Sequence, residues 1–134
     1  MSAPVEFPDV EALLCVWLRA QLAARGRPVP VATRVPNPRP PAFVTVQRHG
    51  GIRATRVSDS PQVGVECWGA SDADAHDLAQ LVRALLGSLP GQQLDGLPVY
   101  RVQEWSGPAN LPDPASEQPR YVFELQIHIR GSTA

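Results

Sequence analysis

The residues of this chain whose types could support acid–base or metal chemistry are few and widely spaced. They are the histidines His49, His76 and His128 and the strand glutamates Glu66, Glu104 and Glu124. No histidine stands at metal-ligand spacing from another histidine, a cysteine or an acid. The glutamates fall on three different predicted strands and could share one polar sheet face, where carboxylates are usually solvated or paired with arginines. The pattern predicts neither a catalytic dyad nor a metal site.

Motifs for nucleophilic and nucleotide chemistry are also missing from the sequence. It contains no GxSxG elbow, no phosphate-binding P-loop and no GxGxxG turn. We therefore predict a non-enzymatic protein that needs no cofactor. A small enzyme built from Glu66, Glu104, Glu124 and His128 is an alternative, which a pocket holding two of those carboxylates would favour.

Length and composition are those of one ordinary globular domain covering residues 1–134. Hydrophobic residues make up 43% of the 134, and no apolar run is long enough to cross a bilayer. The first residues are acidic where a secretory signal would be basic, so we expect a cytoplasmic protein without a membrane anchor. Cys15 and Cys67 lie in apolar patterns and are predicted to be reduced core residues; a disulfide between them is the alternative.

Charge is divided unevenly along the chain. All basic residues are arginine, and the segment between Ala12 and Ser58 has no acid but contains Arg19, Arg25, Arg27, Arg34, Arg39, Arg48, Arg53 and Arg56. From Asp59 onward, ten acids stand against four arginines. Such an asymmetry can steer copies head to tail, or turn one face toward phosphate. In the alternative interpretation, the fold interleaves the two halves and the charges cancel locally. Sequence-specific recognition of bases is not predicted, because the arginines are spread among prolines with only Phe43 as a nearby aromatic.

Two amphipathic helices are predicted. In the first, Asp9 is the N-cap, Gly26 is the stop, and one apolar stripe comprises Val10, Leu13, Leu14, Trp17, Leu18 and Leu22. The second begins after Ser71, which forms a capping-box-like pair with Asp74, and ends at Gly87. Its buried stripe comprises Leu78, Leu81, Val82, Leu85 and Leu86.

Strand patterns occupy most of the remaining chain. They cover residues 42–49, 62–69, 97–105 and 120–130, with a short edge strand at 31–35. The last of them alternates strictly, with Tyr121, Phe123, Leu125, Ile127 and Ile129 on one side. The element order predicts an α+β fold: a two-layer sandwich of a mostly antiparallel, four- to five-stranded sheet with two helices on one face.

Two long polar loops separate these strands. Residues 50–60 are predicted to form an extended hairpin loop, and residues 106–119 a proline-rich irregular loop. Long loops without secondary structure in a compact domain are usually functional or disordered. A proline-rich loop also loses less entropy when it is ordered, so residues 108–119 are predicted to lie along a neighbouring copy of the chain.

The succession of these segments resembles a known family, the tail terminator (tail completion) proteins of long-tailed phages, especially those that infect actinobacteria. The segments that carry the resemblance are FPDVEALLCVWLRAQL, VPNPRPPAFVTVQRHGG, DSPQVGVECWGASDADAHDLAQLVRALL and GPANLPDPASEQPRYVFELQIHIRG. Together they cover most of the chain in order, although each one alone is weakly specific.

The resemblance implies a structural virion protein with a similar two-layer fold. It implies a homo-hexameric ring on the head-proximal end of the tail tube, which stops tube polymerisation and offers a surface to the head-completion proteins of the neck. Genomic DNA would pass through the lumen without sequence-specific binding. No catalysis, cofactor or membrane is implied, and the protein would be assembled in the host cytoplasm and end in the tail–neck region of the virion.

Within this interpretation, particular residues become candidates for the lumen or the subunit interface. The hairpin 50–60, with Arg53 and Arg56, would face the lumen or the tube end. Asp113 and Arg120 would form intersubunit pairs, and Arg34 and Arg39 of the basic segment are further candidates. A rival from the same part of the virion is another neck component, such as a head–tail connector or head-completion protein, which would bind DNA-filled heads rather than tail tubes.

Overall fold

The computed structural model describes residues 3–134, which form two helices and eight strands; Met1 and Ser2 of the predicted 1–134 domain lie outside them. In chain order the elements are β1 (Val5–Glu6), α1 (Val10–Ala24), β2 (Val31–Ala32), β3 (Phe43–Arg53), β4 (Ser58–Trp68), α2 (Asp72–Gly87), β5 (Gln93–Leu94), β6 (Leu97–Asn110), β7 (Arg120–Arg130) and β8 (Ser132–Thr133). The α+β class predicted from the sequence is confirmed.

Both helices begin and end where their capping residues predict. The Asp9 carboxylate accepts a hydrogen bond from the Ala12 amide at 3.2 Å, and the Ser71 hydroxyl accepts one from the Asp74 amide at 3.1 Å. Gly26 takes a positive φ of 72° just after α1, and the Arg27 amide donates back to the Leu22 carbonyl at 3.0 Å. No helix in residues 3–134 has the length and apolar character needed to span a membrane.

Six strands form a mostly antiparallel, strongly curled sheet in the order β2-β3-β4-β7-β6-β5, one strand more than the predicted maximum. β2 runs parallel to its neighbour β3, and at two residues it is shorter than the predicted strand 31–35. β1 and β8 form a separate two-stranded sheet that the sequence pattern did not indicate.

The predicted loop over residues 50–60 is wrong in its extent. β3 continues to Arg53 and β4 begins at Ser58, so only residues 54–57 form the turn. The ladder continues past a register shift between Arg48 and Gly51, where Gly50 and Gly51 both have positive φ. The glycine pair therefore makes a β-bulge inside a long hairpin and does not end the strand.

The predicted irregular loop over residues 106–119 is also shorter in the structure. β6 runs on to Asn110, with register shifts in its pairing to β7, and leaves only residues 111–119 irregular. β7 itself occupies residues 120–130 as predicted, and its alternate side chains from Phe123 to Ile129 are buried.

A single hydrophobic cluster joins the helices to the sheet. It contains the buried stripes of α1 and α2 together with Val44 and Val46, Val63 and Val65, and the buried row of β7. Cys15 and Cys67 are free thiols inside this cluster, which confirms the prediction of reduced core residues. Burial raises the pKa of both thiols, so neither is poised as a thiolate nucleophile.

Candidate functional site

The residues singled out in the sequence collect at opposite ends of the central strands. Arg39, Asp113 and Arg120 lie around Trp68, the last residue of β4, whereas Arg53 and Arg56 lie at the hairpin beyond Ser58, its first residue. β4 has 11 residues, so the two groups are separated by about 33 Å of extended chain. We call them the loop-end cluster (Arg39, Phe43, Trp68, Asp113, Arg120) and the hairpin tip (residues 53–57).

The loop-end cluster is built on a stack of two aromatic rings. Phe43 and Trp68 occupy paired positions on β3 and β4, and their centroids are 4.9 Å apart. The guanidinium groups of Arg39 and Arg120 each lie 5.2 Å from the centre of the Trp68 ring, within cation–π range. Arg120 also donates to the Glu66 carboxylate at 2.7 Å.

The irregular segment 111–119 is folded onto this cluster by its own hydrogen bonds. Asp113 accepts from the Ser116 hydroxyl at 2.7 Å and the Ala115 amide at 3.2 Å, and these bonds lower the pKa of its carboxyl group. Arg39 donates to Gln118 at 3.0 Å and stands 3.6 Å from the Asp113 carboxylate. The salt-bridge partner of Asp113 within the chain is thus Arg39, while Arg120 pairs with Glu66. Their predicted role in intersubunit pairs stays a prediction.

The hairpin tip presents arginines that are held by backbone groups. Arg53 donates to the carbonyl oxygens of Thr55 and Arg56 at 3.2 and 2.8 Å, and its guanidinium lies 5.2 Å from the Phe7 ring centre. Arg56 donates to the Ala3 carbonyl at 3.3 Å. Within residues 3–134 neither guanidinium forms an ion pair with a carboxylate, so the tip keeps a positive charge.

The two halves of the charge pattern are only partly interleaved. Arg48 pairs with the buried Asp59 at 3.0 Å, and Arg39 with Asp113, which links the basic segment to the acidic one at two points. Arg34 is exposed in the turn that follows β2, and no ion pair joins it to another residue of the described chain. Local cancellation therefore accounts for some of the arginines and leaves others as free positive charge.

The outer face of the sheet carries a polar network centred on Glu124. One carboxylate oxygen lies 2.8 Å from His49 Nδ1, and the other accepts from Gln62 Nε2 at 2.9 Å. The His49 ring lies directly over Gly64, where any Cβ atom would overlap the imidazole. These hydrogen bonds, that of His49 first, lower the pKa of the Glu124 carboxyl group.

Replacing Glu124 by glutamine is expected to reduce the free energy of unfolding by about 0.5–1 kcal/mol at pH 7, since the site is half-open to solvent. A carboxyl group whose pKa is lowered on folding stabilises the protein above its ordinary pKa of 4.5 and loses that contribution as pH falls below it. The difference between the two proteins should therefore shrink toward pH 3 in urea titrations. The exposed Glu117→Gln is the control; a gap that stays constant down to pH 3 would contradict the assignment.

The glutamates considered for acid–base chemistry do not share one face. Val102 pairs with Ile127 and Glu104 with Leu125 of the buried row, because a bulge at Tyr100 reverses the alternation of β6. Glu104 consequently points toward α2 and accepts from Arg83 at 2.6 and 3.0 Å. The suggestion that all three could line the polar face is wrong for Glu104.

His128 lies on the outer face beside Ser60, with Oγ and Nδ1 2.9 Å apart. Burial, followed by the nearby Arg101 charge, lowers the pKa of the imidazole, so the ring is neutral at pH 7. Ser60 is almost fully buried, which keeps its hydroxyl away from a substrate. Three surface cavities of residues 3–134 are lined by residues other than His128, Ser60 and the three glutamates. Those residues also contain no group of three or more potential metal-binding side chains.

Sequence analysis did not identify two residues near the hairpin tip, Arg130 and Gly131. Arg130 pairs with Ser58 across the β4–β7 ladder, and Gly131 donates to the Val57 carbonyl at 2.8 Å, which places the end of β7 against the tip. Pairing of β4 with β7 in the correct register would have placed Arg130 and Gly131 beside the tip. The predicted loop boundary at residue 60 left Ser58 out of the strand and so concealed this pairing.

No protein-family model matches this sequence, and no curated protein is significantly similar to it.

Proposed function

We propose that this protein is a tail terminator of a long-tailed phage: a structural subunit that assembles with copies of itself into a ring at the head-proximal end of the tail tube. The observation that carries the proposal is an open sheet edge on β6. β5 and the residues before it pair with β6 only as far as Val99, so from Tyr100 to Asn110 no strand of residues 3–134 covers the outer side of β6.

The open edge has features of an assembly surface. Bulges interrupt β6 near Tyr100 and near Trp105, and the four residues between them are regularly paired to β7. Tyr100 and Trp105, which flank this stretch, are 50% and 59% exposed. Large aromatic side chains are enriched at protein–protein interfaces, and an unpaired strand edge is a template for another chain.

The opposite edge of the sheet is protected. β2 covers β3 only at Val44 and Thr45, but the Glu11 carboxylate then accepts from the Arg48 amide at 2.6 Å, and the glycine bulge follows. Natural proteins block edge strands with such charges and bulges; β6 also has bulges, but the stretch from Arg101 to Glu104 between two of them stays regular. The β3 edge is thus partly blocked within the chain and the β6 edge is available. In the proposed ring the β6 edge contacts a different surface of the neighbouring subunit, because pairing with the same edge of a second copy would give a two-fold dimer.

Two separate polar surfaces fit a subunit that joins two different partners. In this proposal the hairpin tip, with Arg53 and Arg56, faces the lumen or the tube end. The loop-end cluster, with Arg39, Asp113 and Arg120, packs against the adjacent subunit, and the exposed Arg34 is a further candidate for the interface or the lumen. DNA passes through the lumen without base recognition, and the neck protein binds the face away from the tube.

The proposal includes the two-layer arrangement in which both helices cover one sheet face. Its support is that the buried stripes of both helices belong to one cluster with the inward row of β7. The outward row of β7 carries polar side chains that bond to one another or to neighbouring strands, among them Glu124 and Gln126.

Negative-stain electron microscopy of the purified protein, alone and mixed with cognate tail tubes, tests this function. Sixfold rings, or caps at one end of the tubes, are expected. Protein that stays monomeric, ignores tubes and binds DNA-filled heads would contradict the terminator assignment and favour a head-side neck component.

A further inference from the structure

A pocket of about 370 Å³ lies beside the hairpin tip, between the turn after β3 and the small β1–β8 sheet. Two arginines from different elements line it: Arg56 from the turn and Arg130 from the end of β7. The exposed Ser132 and Thr133 of β8 line the same wall. No lining residue in the described part of the chain is an aspartate or glutamate.

The two guanidinium groups are poorly satisfied by the protein. Within residues 3–134, Arg56 makes one side-chain hydrogen bond, to the Ala3 carbonyl, and Arg130 makes one, to the Tyr100 hydroxyl; both are 3.3 Å long, beyond the usual range for N–H···O bonds. A guanidinium has five N–H donors, so most of the donors in this pocket are free for a ligand. By contrast Arg39, Arg48, Arg83 and Arg120 are each held by a carboxylate.

The backbone beside the pocket is tightly packed at Gly131. The Gly131 amide donates to Val57, and a Cβ atom at Gly131 would stand 2.6 Å from the Glu6 carbonyl oxygen and 2.7 Å from the Phe7 ring. Phe7 is itself covered by Arg53. Strand β1 is therefore packed tightly against Gly131, and the backbone that carries Arg130 is held next to the turn that carries Arg56.

We propose that this pocket binds a phosphate-type anion through Arg56 and Arg130, with the Ser132 and Thr133 hydroxyls as further donors. The planar guanidinium group matches the oxygens of phosphate in charge and geometry, and two arginines line this one pocket. The same chemistry is offered by a free phosphate ion and by a phosphodiester of a nucleic acid backbone. The pocket belongs to a single subunit, so this inference does not depend on ring assembly.

The test titrates two probes into the purified full chain. Inorganic phosphate is followed by amide chemical shifts, with chloride at matched ionic strength as reference, and a fluorescein-labelled 20-base-pair duplex is followed by anisotropy. The double variant Arg56→Gln/Arg130→Gln is expected to weaken binding at least tenfold. The charge-matched control Arg25→Gln/Arg27→Gln, on exposed residues after α1, should change it less than twofold.

The two arms separate the sources of the phosphate group. Pocket-dependent binding of the duplex identifies a phosphodiester, and the slope of log affinity against log salt should then fall in magnitude by about 2 in the double variant. Pocket-dependent shifts with inorganic phosphate alone identify a free phosphate ligand. The variant Arg56→Lys/Arg130→Lys, which keeps both charges, should recover part of the binding. If the double variant behaves like the control with both probes, the proposal is overturned.

Discussion

In the proposed assembly through the β6 edge, replacing Trp105 by aspartate is expected to weaken self-association about 30-fold or more. That figure corresponds to about 2 kcal/mol, the loss typical of removing a central aromatic anchor from an interface. Trp105 stands at a bulge of the open β6 edge and is 59% exposed, so its side chain does little for the core of the subunit. A carboxylate there would have to be desolvated when a second chain covers the edge.

Analytical ultracentrifugation over a range of concentrations measures this effect directly. The comparison variant is Val16→Asp, which tests the rival surface by placing the same charge on a similarly exposed apolar residue, 62% accessible, on the outer side of α1. Near Val16, Leu13, Trp17 and Leu94 form a shallow apolar groove that competes as a contact surface. If Val16→Asp disrupts association and Trp105→Asp does not, assembly uses α1 and the β6 edge is the wrong surface.

Replacing Gly51 by alanine is expected to destabilise the subunit by about 2–5 kcal/mol. The backbone there has φ of 98°, which costs an L-residue roughly 1–2 kcal/mol. In addition, a Cβ atom would overlap the Ser60 carbonyl oxygen and lie 2.6 Å from the Gln62 amide nitrogen, and relieving such overpacking costs about 1–3 kcal/mol. Urea unfolding followed by tryptophan fluorescence measures the change.

The neighbouring Gly50→Ala separates the two contributions. Gly50 also has a positive φ, of 82°, but an added Cβ atom would meet nothing within 4 Å. Gly50→Ala should therefore reduce the free energy of unfolding by only about 1–2 kcal/mol, the cost of the backbone conformation alone. Equal effects at the two positions would contradict the prediction. They would show that the hairpin carrying Arg53 and Arg56 relaxes without cost around a Cβ atom at Gly51.

The two ends of the sheet differ in how their charges are satisfied, and this difference underlies the proposed function. At the loop-end cluster, Arg39 and Arg120 have carboxylate and aromatic partners in the chain. At the hairpin tip, Arg53 and Arg56 bond only to carbonyl oxygens of the described chain. A surface that is satisfied internally can pack against a copy of the subunit, whereas free guanidinium donors favour an external anion.

The sequence by itself determined the features that depend on neighbouring residues. Helix ends followed from Asp9, Gly26 and Ser71, because each cap satisfies backbone groups within one turn of the helix. The buried row of β7 followed from strict alternation, since the pleat places every second side chain on the core side. The buried free thiols of Cys15 and Cys67 followed from the apolar patterns around them.

Only the tertiary structure decided features that depend on register between distant strands. The glycine pair at 50–51 predicted an end to β3, yet pairing with β4 on its other side continues the strand as a bulge. A bulge in β6 turned Glu104 toward α2, which no local alternation could reveal. The sheet order, and with it the open β6 edge, likewise depends on which strands pair.

The candidate surfaces show the same division. The positions of the arginines and the extent of the basic segment follow from the sequence, but the partners of each arginine do not. Arg39 meets Asp113 across a long stretch of chain, and Arg56 and Arg130 line one pocket because β4 and β7 pair antiparallel. Composition fixed how much charge the protein carries, and long-range pairing decided which charges are neutralised, because an ion pair requires a distance that sequence spacing does not specify.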